Sequence, residues 1–396
     1  MSVSQHDLDA LIIGGGIAGL WTLHELTRLG HSCLLVERNA LGRGQTVWSQ
    51  GIIHGGLKYT LAGMMNPSAE AIREMPRLWR QCLEGVAPAG PDLSAAGVRA
   101  QHCHLWQTSS IASRVGMIGA RVGLRVAPVV LDKPNRPIIL RECPGIVARL
   151  DEQVIDPAAV LRTIADQHPG RVVRGEIEAV TVENDGVRAR VQSGLRSLTL
   201  TARWLVMSAG HGNAALRTML GLHAERMQVR PLRMVMVRGE ALPPLFGHCV
   251  DGAKTRLTIT TAKDTIGRPV WQLGGEIAER AVLMSEAEAI SFARKELLAV
   301  LPGLDLARCE FATYDAPRAE AAMLGLRRPD DAVVFEDGPL LTVFPTKLAL
   351  APRVAGMVAS LVGDPMSNRA APPIQGWDRP GVAPGPWESA AWRGVE

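Results

Sequence analysis

The sequence predicts an α/β protein: a Rossmann-type dinucleotide-binding domain interleaved with a second domain on a mostly antiparallel β-sheet. Three observations predict it. An apolar run at residues 8–13 leads directly into Gly14, Gly16 and Gly19 and an amphipathic segment at 17–29. A second apolar run at 32–37 returns and ends in an acid, Glu37. From about 225 to 320 the pattern changes to long strands with one helix at 285–300.

In chain order, LDALII (8–13) reads as a buried strand, GGGIAG as the turn, and 17–29 as a helix ending at Gly30. SCLLVE (32–37) is the returning parallel strand, which completes a βαβ unit. The stretch LGRGQTVWSQGIIHGGLKY (41–59) is too long for a plain connector and precedes a helix at 67–85. Residues 86–97, rich in Pro, Gly and Ala, mark a passage between domains, with strands beyond. In IDPAAVLRTIADQ (155–167), Asp156 is placed as helix N-cap and Pro157 as the first helical residue. Strands follow, the last at 204–208 ending in a small-residue turn at Ala209 and Gly210. LLTVFPTKLALAPRVAGMVASLVG (340–363) reads as strand, Pro-Thr turn and helix. The expected division is a cofactor domain from 1–85, 151–224 and 321–364, a substrate domain from 86–150 and 225–320, and an irregular tail at 365–396.

Composition narrows the functions. A chain of 396 residues, 47% hydrophobic, supports a large core, and a net charge of only +4 with scattered basic residues gives no footprint for nucleic acid. The cysteines Cys33, Cys82, Cys103, Cys143, Cys249 and Cys309 show no C-x-x-C pair and read as packed thiols in a reducing cytoplasm. The first residues do not read as a signal peptide, and no apolar run is long enough to span a bilayer, which leaves peripheral membrane contact open. His102 and His104 flank Cys103 in a strand pattern without a fourth ligand and read as structural, so no metal is expected.

The glycine fingerprint serves a tight turn, close backbone approach to a pyrophosphate and tight packing of helix on strand, while Glu37 suits an adenosine ribose. It does not separate FAD from NAD. Further turns at Gly44 to Gly56, Ala209 to Gly212 and Pro345 to Lys347 suit a long buried cofactor, so FAD is expected. The expected cofactor contacts are Gly14, Gly16, Ile17, Ala18, Gly19, Glu37, Arg38, Gly44, Thr46, Ser49, Gln50, Gly51, Ala209, Gly210, Thr346, Lys347 and Leu348.

SQGIIHGGLKY (49–59) resembles the FAD-dependent glycerol-3-phosphate dehydrogenases and, more loosely, the L-2-hydroxyglutarate dehydrogenases of the D-amino-acid oxidase-like (DAO) superfamily. TYDAPRAE (313–320) and TVFPTKLALAPR (342–353) are similar to two further segments of these families. The resemblance implies a DAO or glutathione-reductase-like fold. It places Ser49 to His54 along the flavin ring, Lys58 and Tyr59 at the substrate, Arg318 on an anionic substrate group and Lys347 at the flavin-substrate junction. The chain's two tyrosines, Tyr59 and Tyr314, fall on these segments. It departs from the resemblance at Lys58, where the families have Arg, and at Pro345-Thr346, where they have Gly-Gly. RPLRMVMV (230–237) also stands where glycerol-3-phosphate dehydrogenases have a histidine.

The chemistry expected is hydride transfer from a small anionic alcohol, a 2-hydroxy acid or glycerol-phosphate-like molecule, to the flavin N5, with electrons passing to a quinone, a carrier or oxygen. His54 is the leading base or else only shapes the flavin loop; Arg318 clamps the anion or else pairs with Glu320 or another acid; Tyr59 joins the clamp or else packs in the core, and Tyr314 is a further candidate for the clamp. The alternatives are an amine or amino-acid oxidase of the glycine or sarcosine oxidase type, and a flavoprotein acting on a macromolecule such as tRNA.

Overall fold

The computed structural model describes residues 5–55, 72–108, 128–251, 254–366 and 374–394. Its first layer is an eight-stranded sheet with a parallel centre, in the order Leu340–Phe344, Arg196–Met207, Gln5–Ile13, Cys33–Glu37, Val172–Arg174. Val333–Asp337 pairs antiparallel at one edge, and the hairpin of Glu176–Glu183 and Gly186–Ser193 pairs antiparallel with Arg196–Met207. The central strands are near-continuous apolar runs because helices or apolar side chains cover both faces. The helix Ile17–Arg28 buries Leu20, Leu23 and Leu26 against Val354 and Val358 of the helix Ala351–Val362.

The second layer is a nine-stranded sheet drawing strands from 103–150, 233–274, 310–315 and 393–394. Its core gathers Trp106, Val235, Leu257, Trp271 and Phe311 against the helix Glu286–Val300, which opens on a capping box between Ser285 and Glu288. Asp156 caps Pro157–Asp166 as its sequence position requires, accepting from the N–H groups of Ala158 and Ala159.

Two expectations change in detail. The described helix before residue 85 is Met75–Leu83, and residues 56–71, which include the start of the expected helix, lie outside the described residues. The C-terminal residues contain little regular structure yet are packed: Val382 bridges Leu41, Arg393–Gly394 pairs with Glu310–Asp315, and Trp387 is buried. All six cysteines are buried. Burial pushes up the thiols of Cys33, Cys82, Cys143, Cys249 and Cys309, Cys82 to about 12.

Candidate active site

The strands Gln5–Ile13, Cys33–Glu37, Arg196–Met207 and Leu340–Phe344 all end at the same edge of the parallel sheet, where crevices for ligands form in such sheets. A cavity of about 820 Å³ opens there, near the top of the roughly 300–1,000 Å³ range of small-molecule sites. It runs from the Gly14–Gly16 turn and Glu37, past Ala209, to Thr346 and Lys347.

The turn is shaped by steric need. Gly14 has φ +107°, and a Cβ there would meet the Ala209 backbone at 2.6 Å. A Cβ on Gly19 would overlap the Gly14 carbonyl, so Gly19 sets the approach of helix to strand. Gly16 is the N-cap without a side-chain cap, and no acid lies in the first turn, so the positive helix end faces the cavity. Glu37 accepts N–H bonds from Gly15 (2.8 Å) and Asn39 (2.8 Å), which fixes its carboxylate in the cavity wall. These features fit the adenosine diphosphate half of FAD: an anion-seeking helix end, backbone without side chains and an oriented carboxylate.

A second, smaller cavity of about 180 Å³ adjoins it. Ser49, Arg318, Thr346, Lys347 and Leu348 line both, and so mark the junction. Arg230, Glu279, Glu320, Arg328 and His54 line the second alone. Glu320 is fully buried and pairs with Arg230 at 3.0 Å, and its charge also favours the protonated Arg318. Arg318 is partly buried, and among the described residues its guanidinium has no ion-pair partner. Burial pulls its proton affinity down, as does Arg230. Burial first, and Arg328 second, lower the Lys347 ammonium to about 7 against the pull of Asp330 and Asp331. Thr346 keeps a left-handed φ of +61° where the resembling families have glycine, held by its hydroxyl donating to the Asp331 carbonyl at 2.8 Å.

The other residues singled out in the sequence divide. Gly14, Gly16, Ile17, Ala18, Glu37, Arg38, Gly44, Thr46, Ala209 and Gly210 line the first cavity alone. Gln50 and Gly51 do not. The Gln50 amide donates to the carbonyls of Thr258 (3.2 Å) and Gln272 (2.9 Å), tying the loop to the nine-stranded sheet. Gly51 lies against the Ile155 backbone, where a Cβ would overlap the carbonyl. Tyr314 is also redirected: its hydroxyl donates to the Trp48 carbonyl at 3.0 Å and accepts from Gln272, so it clips the loop to the sheet. Lys58 and Tyr59 lie outside the described residues.

The loop that carries His54 is held by the segment 152–155: Ile53 N–H donates to the Gln153 carbonyl, and Ile155 N–H to that of Gly51, both at 2.9 Å. Glu152, missed in the sequence, accepts from the Gly55 N–H at 2.7 Å and lies 3.8 Å from His54 Nδ1. His248 also faces it, Nε2 at 3.5 Å. Burial would push the Glu152 carboxyl up, but contacts with His248 and His54 outweigh it and hold the group well below the usual carboxylate range. The three donor atoms lie within 4.8 Å of one another. A proton on one imidazole would balance the carboxylate.

A parallel-sheet dinucleotide cavity joined to a cationic pocket between two sheets defines an FAD-dependent oxidoreductase. Comparison with known proteins agrees: residues 9–342 match the DAO family, described as FAD dependent oxidoreductase, and the chain belongs to that family. It is 40% identical over 392 residues to a probable FAD-dependent oxidoreductase of Pseudomonas aeruginosa, PA4991, covering 96% of this chain and 98% of that protein. The crystal structure of PA4991 superposes with a TM-score of 0.79, covering 98% of this chain and 99% of that one. Glycerol-3-phosphate dehydrogenase 1 of Mycobacterium bovis is 27% identical over 221 residues, 51% of this chain and 42% of that protein. The fold is shared with FAD-bound L-α-glycerophosphate oxidase of Mycoplasma pneumoniae at a TM-score of 0.64 and 16% identity, over 96% of this chain and 99% of that one. Glycine oxidase of Geobacillus kaustophilus shares it equally, at 0.64 and 16%, over 90% and 95%. Among the described residues no helix is long and apolar enough to cross a membrane.

Proposed function

We propose that the chain dehydrogenates a small anionic alcohol, a 2-hydroxy acid or a glycerol-phosphate-like molecule, bound in the second cavity. One observation carries this reading: Arg318 stands partly buried at the junction, without an ion-pair partner among the described residues, in a pocket that Arg230, Arg328 and Lys347 also line. An unmatched guanidinium is costly to bury, and an anionic ligand offsets that cost.

FAD, when bound, supplies the two-electron acceptor. Arg318 holds the substrate anion with its planar fork. His54, on the wall of the same cavity, takes the hydroxyl proton. Lys347, with its proton affinity lowered to about 7, regains a full charge as negative charge reaches the junction.

The test is anaerobic bleaching of the flavin by a panel of 2-hydroxy acids, glycerol 3-phosphate and amino acids. Hydroxy acids or the phosphate should bleach it, and Arg318→Lys should weaken apparent affinity roughly ten- to a hundredfold with FAD retained. Arg318 would equally hold an amino-acid carboxylate, so bleaching by amino acids alone would replace this reading with amine oxidation. An unchanged affinity in Arg318→Lys would remove the anion clamp altogether.

A further inference from the structure

We propose that Glu152 is a positioning residue for His54, orienting its ring and raising its proton affinity, and that His248 shares the same carboxylate and limits that effect. The proposal rests on the reading of His54 as the base and adds what sets its basicity.

Each part of the array is held from outside it. One Glu152 oxygen accepts the Gly55 N–H at 2.7 Å, so the neighbour of His54 in the chain fixes the carboxylate, and the other oxygen is aimed at the imidazoles. His248 is buried on the strand Gly247–Asp251, and its Nδ1 lies 2.9 Å from the hydroxyl of its cross-strand partner Thr258. That contact turns Nε2 toward Glu152. The rings of His54 and His248 are 5.5 Å apart at 33°, and both face one carboxylate oxygen.

The charges explain the need. Among the described residues, the charged groups that share the cavity with His54 are Arg230, Glu279, Arg318, Glu320, Arg328 and Lys347. Cations prevail, and Glu320 is occupied by Arg230. Their field disfavours an imidazolium, so His54 facing them alone would be a weak base. A buried carboxylate 3.8 Å from Nδ1 acts in the opposite sense, and its low-dielectric setting strengthens the effect. Because two imidazoles draw on one carboxylate, the trio titrates as a coupled set. Removing Glu152 and removing His248 should therefore move His54 in opposite directions, which a merely structural role would not do.

The experiment is histidine-selective NMR titration of the FAD-loaded protein, with the His54 signals assigned by their loss in His54→Gln. In Glu152→Gln, which keeps an oxygen for the Gly55 N–H, the His54 midpoint should fall by about a unit or more. In Glu152→Asp, which withdraws the charge by one methylene, it should fall part of the way; this variant gives the reading if the first fails to retain FAD. In His248→Gln the midpoint should rise. An unmoved midpoint in both Glu152 variants, or a fall of equal size in His248→Gln, overturns the proposal. So does stoichiometric bound metal by elemental analysis that is lost in Glu152→Gln, since a cation would then replace the shared proton. A His54→Ala enzyme whose flavin is still reduced at the normal rate would refute the base reading while leaving this titration as it stands.

Discussion

At the residue scale, the glycines of the turn have different duties, and substitution separates them. A Cβ on Gly19 would overlap the Gly14 carbonyl and come within 2.6 Å of the Ser208 hydroxyl, so the fold itself must give way. Gly16 is looser: a Cβ there meets only the Thr46 hydroxyl at 3.3 Å, and beyond it lies the cavity. Gly19→Ala should therefore cost about 1–3 kcal/mol in stability, the usual scale of overpacking. Gly16→Val should leave the apoprotein's thermal unfolding nearly unchanged but abolish FAD retention. Melting curves of the apoproteins, with flavin absorbance of the purified proteins, check both. Equal loss of stability in the two variants would show that Gly16 also serves the fold.

At the element scale, the junction of the cavities depends on how the edge hairpin is docked. Arg217, on the helix Gly212–Met219, is fully buried and donates to Asp337 (3.0 Å), the Thr342 hydroxyl (2.7 Å) and the His223 carbonyl (2.8 Å). It pins that helix to the hairpin of Val333–Asp337 and Leu340–Phe344, from which the turn with Thr346 and Lys347 springs. Arg217→Ala removes the buried member of a pair whose other member, Asp337, is half-buried and keeps Arg226. The expected loss is about 1–3 kcal/mol in urea unfolding. A loss below about 1 kcal/mol would mean that solvent or Arg226 replaces the contact.

At the scale of the whole molecule, acid stability should report the pair of the half-buried His24 and the buried His168, whose ring nitrogens lie 3.2 Å apart between the helix Ile17–Arg28 and the end of Pro157–Asp166. Burial, then His24 and Arg171, lowers His168 from its ordinary 6.5 to about 4. The unfolded chain binds that proton near pH 6.5 and the folded one only near pH 4, so stability falls as pH drops through this window. The full shift corresponds to about 3 kcal/mol. Glu152 adds a further loss lower down, since its carboxylate is favoured by folding and must be protonated on unfolding in acid. Chemical unfolding between pH 7 and 4 should show the histidine component in the wild type and lack most of it in His168→Gln. An identical slope in the two proteins would assign the acid limb to other groups.

What the sequence by itself determined is the local part. The βαβ unit, the Asp156 cap, the capped helix Glu286–Val300 and the FAD-directed turns were legible because period, caps and glycine geometry act over a few residues. Part of the lining of the first cavity, including Gly14, Gly16, Ala209 and Thr346, lies on the same turns. Tertiary structure alone decided the rest. Gln50 and Tyr314 sit on the motifs that carry the resemblance, yet their hydrogen bonds go to strand and loop backbone, because packing two sheets together leaves carbonyls there that need donors. Arg230 and Arg328 are not singled out by any motif in the sequence, and they line the second cavity through strand pairing and a loop. Glu152 and His248 carry no local pattern: Glu152 stands 97 residues from the Gly55 amide it binds, and His248 lies on a strand of the other sheet. Spacing along the chain holds no trace of such neighbours, since chain closure over that distance is directed by burial of the two cores and not by any property of the residues that meet.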